Sequence, residues 1–139
     1  EAWLAHCHGM VGAGRDSAAD SSNGSELYVV SGHSPRHLDR NITVVGRVLD
    51  GIEVLTALPR GTGAMGFHQA AAQRVPIDSI RLAAEVPDAE RVALQVLRTD
   101  TDTFRQLVEA RRNRLEPWFI EPTGTVELCN VPLPVRRVP

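Results

Sequence analysis

At 139 residues, with 42% hydrophobic and 23% charged residues, the chain has the length of one domain and enough apolar content to bury a core. Its net charge is −2 and all fifteen basic residues are arginine, so it lacks the concentrated basic face of a general nucleic-acid or membrane-surface protein. No run approaches the eighteen or so apolar residues that a helix needs to cross a bilayer.

The chain opens at Glu1 rather than Met and passes directly into Ala2-Trp3-Leu4-Ala5, with neither a basic segment nor a long apolar one. Either it was processed or its record begins partway through a gene. Residues 3–8 alternate enough to be read as a strand, with His6 and His8 on one face and Cys7 on the other. That offers at most two ligands per face where a metal site wants three or four, and His33, His37 and His68 add no recognisable spacing, so no metal is expected. Glycines 9, 12 and 14 follow. A phosphate loop would need a helix N-terminus directly after them. The acidic, turn-forming Asp16-Ser17-Ala18-Ala19-Asp20 stands there instead, so the glycines are read as places of turning or close approach.

Asn23-Gly24-Ser25 is a strong turn signal that breaks straight into the β-branched and aromatic run Glu26-Leu27-Tyr28-Val29-Val30, which reads as a strand. A second strand is expected over residues 38–48. Leu49, Ile52, Leu55 and Leu58 then recur at helical spacing after Asp50-Gly51, and Pro59 with Gly61 ends that helix. Residues 61–68 read as loop and 75–83 as a closing strand. Pro87-Asp88-Ala89-Glu90 looks like a boundary between a unit of residues 1–86 and an α+β extension of residues 87–139. In the extension, residues 92–97 suggest a strand and Thr101-Asp102 caps a helix with Phe104, Leu107, Val108 and Arg111 on one face. Residues 118–120 and 126–131 suggest two more strands around Pro122-Thr123-Gly124. Arg105, Arg111, Arg112 and Arg114 interleave with Glu109 and Glu116, which favours a solvated face over a docking surface.

The two cysteines, Cys7 and Cys129, sit almost at opposite ends. In an oxidising compartment a bridge between them would be worth roughly 4 to 5 kcal/mol by the chain-entropy estimate. Two buried free thiols are the plainer expectation, and pairing stays open without compartment or geometry.

Three pieces in this order resemble the second half of a cyclophilin, a peptidyl-prolyl cis-trans isomerase. In that family a methionine-alanine-asparagine-alanine-glycine stretch leads through a small polar loop to asparagine-glycine-serine-glutamine-phenylalanine-phenylalanine, and a later leucine-aspartate opens a strand ending in glycine. Met10-Val11-Gly12-Ala13-Gly14 looks like the first piece, Asn23 to Tyr28 the second, and Leu38-Asp39 to Gly46 the third. The likeness runs from about Trp3 to Val86, and only Asn-Gly-Ser and the Leu-Asp to Gly frame match residue for residue.

The resemblance implies a mainly β fold: the carboxy-terminal half of an antiparallel barrel with one capping helix, the family's first strands being absent. It implies isomerisation of X-Pro bonds during folding, without a cofactor. Proline-containing peptides or unfolded chains are the implied partners, with no nucleic acid and no membrane. Val11 and Gly12 fall where the family borders its groove, Tyr28 where a phenylalanine floors the proline pocket, and Leu38 at the pocket's leucine, with His37 at the rim. Glu26 replaces a glutamine, so a donor-acceptor amide becomes an acceptor-only carboxylate if ionised. The family's catalytic arginine lies on a strand of the first half, so no catalytic residue is assigned here. The competing reading is a non-catalytic peptide-binding or scaffold module on the same barrel, and the compartment, periplasmic or cytoplasmic, is left open.

Overall fold

A computed structural model of the chain describes residues 1–138. Two small antiparallel sheets, two α-helices and five short 3-10 turns make up its regular structure among the described residues. The first sheet has the order β2-β1-β3, from strands β1 (Met10–Ala13), β2 (Leu27–Val29) and β3 (Thr43–Arg47). The Asn23-Gly24-Ser25 turn forms as its chemistry dictates: the Asn23 carboxamide oxygen accepts from the Ser25 backbone N–H at 3.0 Å, and Gly24 takes a φ of +78°. β1 is therefore flanked on both sides. The ladder continues past the strand ends, where Gly9 donates to the Val30 carbonyl and Val48 donates to that of Gly9.

The core of this sheet is small. Ala13, Val30 and Val44 are its buried apolar residues, and His6 is buried with them. The helix expected after Asp50 forms as α1 (Ile52–Ala57), and the Thr101 cap starts α2 (Asp102–Arg112), its hydroxyl accepting from the Phe104 N–H at 3.3 Å. Phe104, Leu107 and Val108 lie half-buried on one side of α2, while Arg105 pairs with Asp102 and Arg112 with Glu109 on the solvent side. That pairing is the solvated face expected from the interleaved charges.

Several expected strands are absent among the described residues, for one shared reason. A strand exists only where a neighbour takes its N–H and C=O groups. Residues 3–8 are irregular because the His6 N–H bonds a carboxylate, and the Cys7 N–H and C=O close tight turns onto Ala5 and Met10. Residues 75–83 find no ladder partner, and Ile77, Ile80 and Leu82 stand 75%, 78% and 68% exposed. Residues 118–120 form turns, and 126–131 hold a 3-10 turn at Leu128–Asn130. The strand that does pair with β4 (Leu94–Val96) is β5 (Val135–Arg137), which lies beyond the expected ones.

No closed barrel forms from the described strands: β2 and β3 are both edges. The accessible surface is 11274 Å², against about 7,100 Å² for a compact monomer of this mass. The apolar stripe expected to cap the barrel is likewise in solvent at Leu49, Leu55 and Leu58, with Ile52 half-buried.

The cysteines are paired: Cys7 and Cys129 form a disulfide across 122 residues, so the expectation of free thiols is corrected. The bridge ties the turn before β1 to the segment before β5, and Arg137 adds an ion pair to Asp50. Because the closed loop is long, removing the bridge should lower unfolding free energy by about 5 kcal/mol on the chain-entropy estimate. Denaturant midpoints of the oxidised chain and of Cys7→Ser/Cys129→Ser measure this, and coincident midpoints would contradict a structural bridge.

Candidate functional site

In the ladder between β1 and β2, Gly12 stands opposite Tyr28 and Val11 opposite Val29. Opposed residues of an antiparallel pair project to the same side, so Tyr28 rises from the face of Gly12, and Val11 from the other. The Tyr28 ring lies across the backbone of β1. A Cβ added to Gly12 would fall inside that ring, at its Cζ, hydroxyl and Cε1 atoms, so glycine is the residue that admits it.

The hydroxyl end of Tyr28 meets His6. Tyr28 Oη lies 2.7 Å from His6 Nε2, and the two rings are nearly parallel, 6° apart with centroids 6.2 Å apart. His6 is 0% exposed. Its other ring nitrogen, Nδ1, lies 3.0 Å from Asp39 Oδ1, and the same oxygen accepts from the His6 backbone N–H at 2.8 Å. Arg36 donates to the second oxygen at 2.5 Å. Asp39 follows the 3-10 turn Arg36–Leu38, so that turn aims the carboxylate inward.

Burial opposes ionisation of Asp39. The His6 N–H, the Arg36 guanidinium and the His6 ring outweigh it and hold the carboxyl well below the usual carboxylate range. Burial pushes the Tyr28 hydroxyl up. An ionised carboxylate only accepts, so Nδ1 of His6 carries a proton, and in the neutral imidazole Nε2 accepts from the Tyr28 O–H.

The residues assigned by resemblance are distributed around this cluster. Gly12 and Tyr28 are in contact. Leu38 is half-buried, one residue from Asp39, with its carbonyl accepting from Asn41 and Ile42. His37 is exposed on the same turn, and its carbonyl accepts from the Asn41 side chain. Glu26 is exposed on the approach to β2, its carbonyl accepting from Gly14. Val11 lies on the opposite sheet face from Tyr28. Hollows of about 500 Å³ lie elsewhere, one lined by Gln95, Leu97, Val135 and Arg136, another by Trp3, Arg40, Ile42 and Thr43. Tyr28 lines neither.

His6 and Asp39 were not singled out from the sequence as partners of Tyr28. The aspartate stood in the Leu38-Asp39 frame, but its bond to a histidine 33 residues upstream is a tertiary fact with no local signal.

Comparison with known proteins bears on the family and the fold. A family model described as cyclophilin type peptidyl-prolyl cis-trans isomerase/CLD matches residues 1–82. No curated protein matches the chain. Among solved structures, the crystal structure of cyclophilin AquaCyp293 from Hirschia baltica is similar with a TM-score of 0.67 and 20% identity, over 97% of this chain and 44% of that one. The chain thus spans less than half the length of that protein. The likeness of fold continues beyond Val86, where the sequence resemblance was expected to stop.

Two outcomes are expected. Gly12→Ala forces the Tyr28 ring off β1 and costs about 1–3 kcal/mol; an unchanged melting temperature would contradict the close approach. The depressed pKa of Asp39 contributes stability that is fully present above the unfolded value of about 3.9 and is lost as pH falls below it. Melting temperatures between about pH 4 and 2 should therefore fall more steeply for wild type than for Asp39→Asn, and equal slopes would sink this assignment.

Proposed function

The chain belongs to the cyclophilin-type peptidyl-prolyl cis-trans isomerase family, and on that premise we propose that it supplies the proline-binding side of an X-Pro isomerase. The observation that carries this reading is the aromatic ring of Tyr28, seated over the glycine of β1 and held at its hydroxyl by a buried histidine. An apolar aromatic face held in one place is what a pyrrolidine ring packs against. Around it we assign Gly12, Glu26, His37 and Leu38 to the groove, with Gly12 contributing backbone rather than side chain; Val11, whose side chain leaves the other sheet face, can border it through its backbone alone.

The chemistry requires more than a floor. An X-Pro amide resists rotation by about 18 to 20 kcal/mol because of its partial double bond. An isomerase binds the twisted amide better than either planar form, which calls for a donor at the prolyl nitrogen. Arg36 is engaged by Asp39, and Arg15 donates to the carbonyls of Asn41 and Asp16. In the family that donor is an arginine on a strand of the first half, so on our reading it is supplied by sequence outside residues 1–139, with this chain as the carboxy-terminal half of the barrel.

The open edges of β2 and β3, the unpaired residues 75–83 and about 4,000 Å² of surface beyond that of a compact monomer support that reading. With the complementary strands present, residues 75–83 pair and Ile77, Ile80 and Leu82 are covered. Residues 87–139 then form a separate extension tied back through Cys129.

The second reading, a peptide-binding module without catalysis, is favoured by Glu26, whose exposed carboxylate replaces an amide. Proline-isomerisation kinetics of the complete protein separate the two. Acceleration is expected, with Tyr28→Ala losing roughly ten- to a hundredfold in kcat/KM, the equivalent of losing about 1.5–3 kcal/mol of apolar burial. Uncatalysed kinetics from well-folded protein would reject the isomerase, and retained binding of a proline peptide would then leave the module.

A further inference from the structure

The buried His6 takes the only polar atom of the pocket's floor, the Tyr28 hydroxyl. We infer that His6 is a positioning residue for Tyr28, with Asp39 fixing the His6 tautomer, so that the phenol ring is locked over Gly12 before a proline arrives. The inference rests on the assignment of Tyr28 to the proline pocket.

The geometry leaves each polar atom one role. Asp39 Oδ1 accepts from both the backbone and Nδ1 of His6, and its second oxygen is occupied by Arg36. Nδ1 therefore carries a proton, and in the neutral imidazole Nε2, 2.7 Å from the Tyr28 oxygen, accepts. The Tyr28 proton is then directed at the imidazole. A phenylalanine at this position would be held by packing alone. With glycine beneath it rather than a side chain, the ring needs the hydroxyl bond to stay in place. An ordered floor spares the ligand the cost of fixing a rotamer on binding.

Two substitutions separate positioning from mere support of the fold. His6→Asn retains a donor near the Nδ1 position, so the Asp39 contact survives, but it cannot reach Tyr28. Tyr28→Phe retains the ring and loses the hydroxyl. In the complete protein, each should weaken binding of an Ala-Ala-Pro-Phe peptide by roughly three- to tenfold, the range of one neutral hydrogen bond. The double variant should be no weaker than either single one, because both remove the same interaction. Additive losses would overturn the inference.

Readouts without ligand judge it independently. The Tyr28 Cζ carbon resonance, identified by its loss in Tyr28→Phe, should titrate above free tyrosine in wild type because the hydroxyl is buried, and at lower pH in His6→Asn than in wild type because the acceptor that favours the protonated phenol is gone. An unmoved titration overturns the inference. Should His6→Asn not fold, histidine side-chain nitrogen shifts of the wild type decide: Nδ1 protonated with bare Nε2 supports it, and the reverse tautomer overturns it. A wild type that binds no proline peptide but shows the expected titration and tautomer would reject the pocket's function while leaving the positioning of Tyr28 intact.

Discussion

One imidazole sealed from solvent joins three stretches of chain that are distant in sequence. Through His6, the segment before β1 is bonded to Asp39, 33 residues on, and to Tyr28, 22 residues on. Burying such a group is costly unless its polar atoms find partners. Here both ring nitrogens and the backbone N–H do, and no buried side-chain polar atom among the described residues lacks one. In a sheet whose buried apolar side chains are Ala13, Val30 and Val44, this bonded line fixes where the 3-10 turn and β2 sit relative to β1. The Cys7–Cys129 bridge begins at the next residue, so the same turn also anchors the far end of the chain.

The rest of the molecule shows what happens where such partners are missing. The apolar residues of 75–83 have strand character and no neighbour, and they remain in solvent. β2 and β3 present free edges, a recognised route to association with other chains. These features belong together in the proposed account: a sheet that forms part of a barrel, an aromatic floor already in place, and a donor that arrives with the remaining strands.

What could be read from the sequence was what local chemistry decides. The Asn23-Gly24-Ser25 turn, the Thr101 cap and the two helices depend on neighbours within a few residues, and they form where expected. So does the frame that identified the family, since turn and strand follow each other directly along the chain. The strands expected over 3–8, 75–83, 118–120 and 126–131 have suitable residues, but pairing is decided by segments far away, which β propensity does not encode. β5 was hidden by Pro132 and Pro134 just before it. In the candidate site, Tyr28 and Gly12 were visible from the family's motif. The buried line through His6 and Asp39 was not, because a lone histidine in an apolar stretch looks the same whether it is exposed, like His8, or enclosed.

The account stands on Tyr28 being the surface that a proline ring touches. Intermolecular nuclear Overhauser effects between a proline-containing peptide and the complete protein test this most directly. Cross-peaks from the proline ring protons to the Tyr28 ring, with shift changes at Gly12 and Leu38, are the result the account predicts. Cross-peaks confined to the hollow between β4 and β5, with Tyr28 unperturbed at saturating peptide, would contradict it.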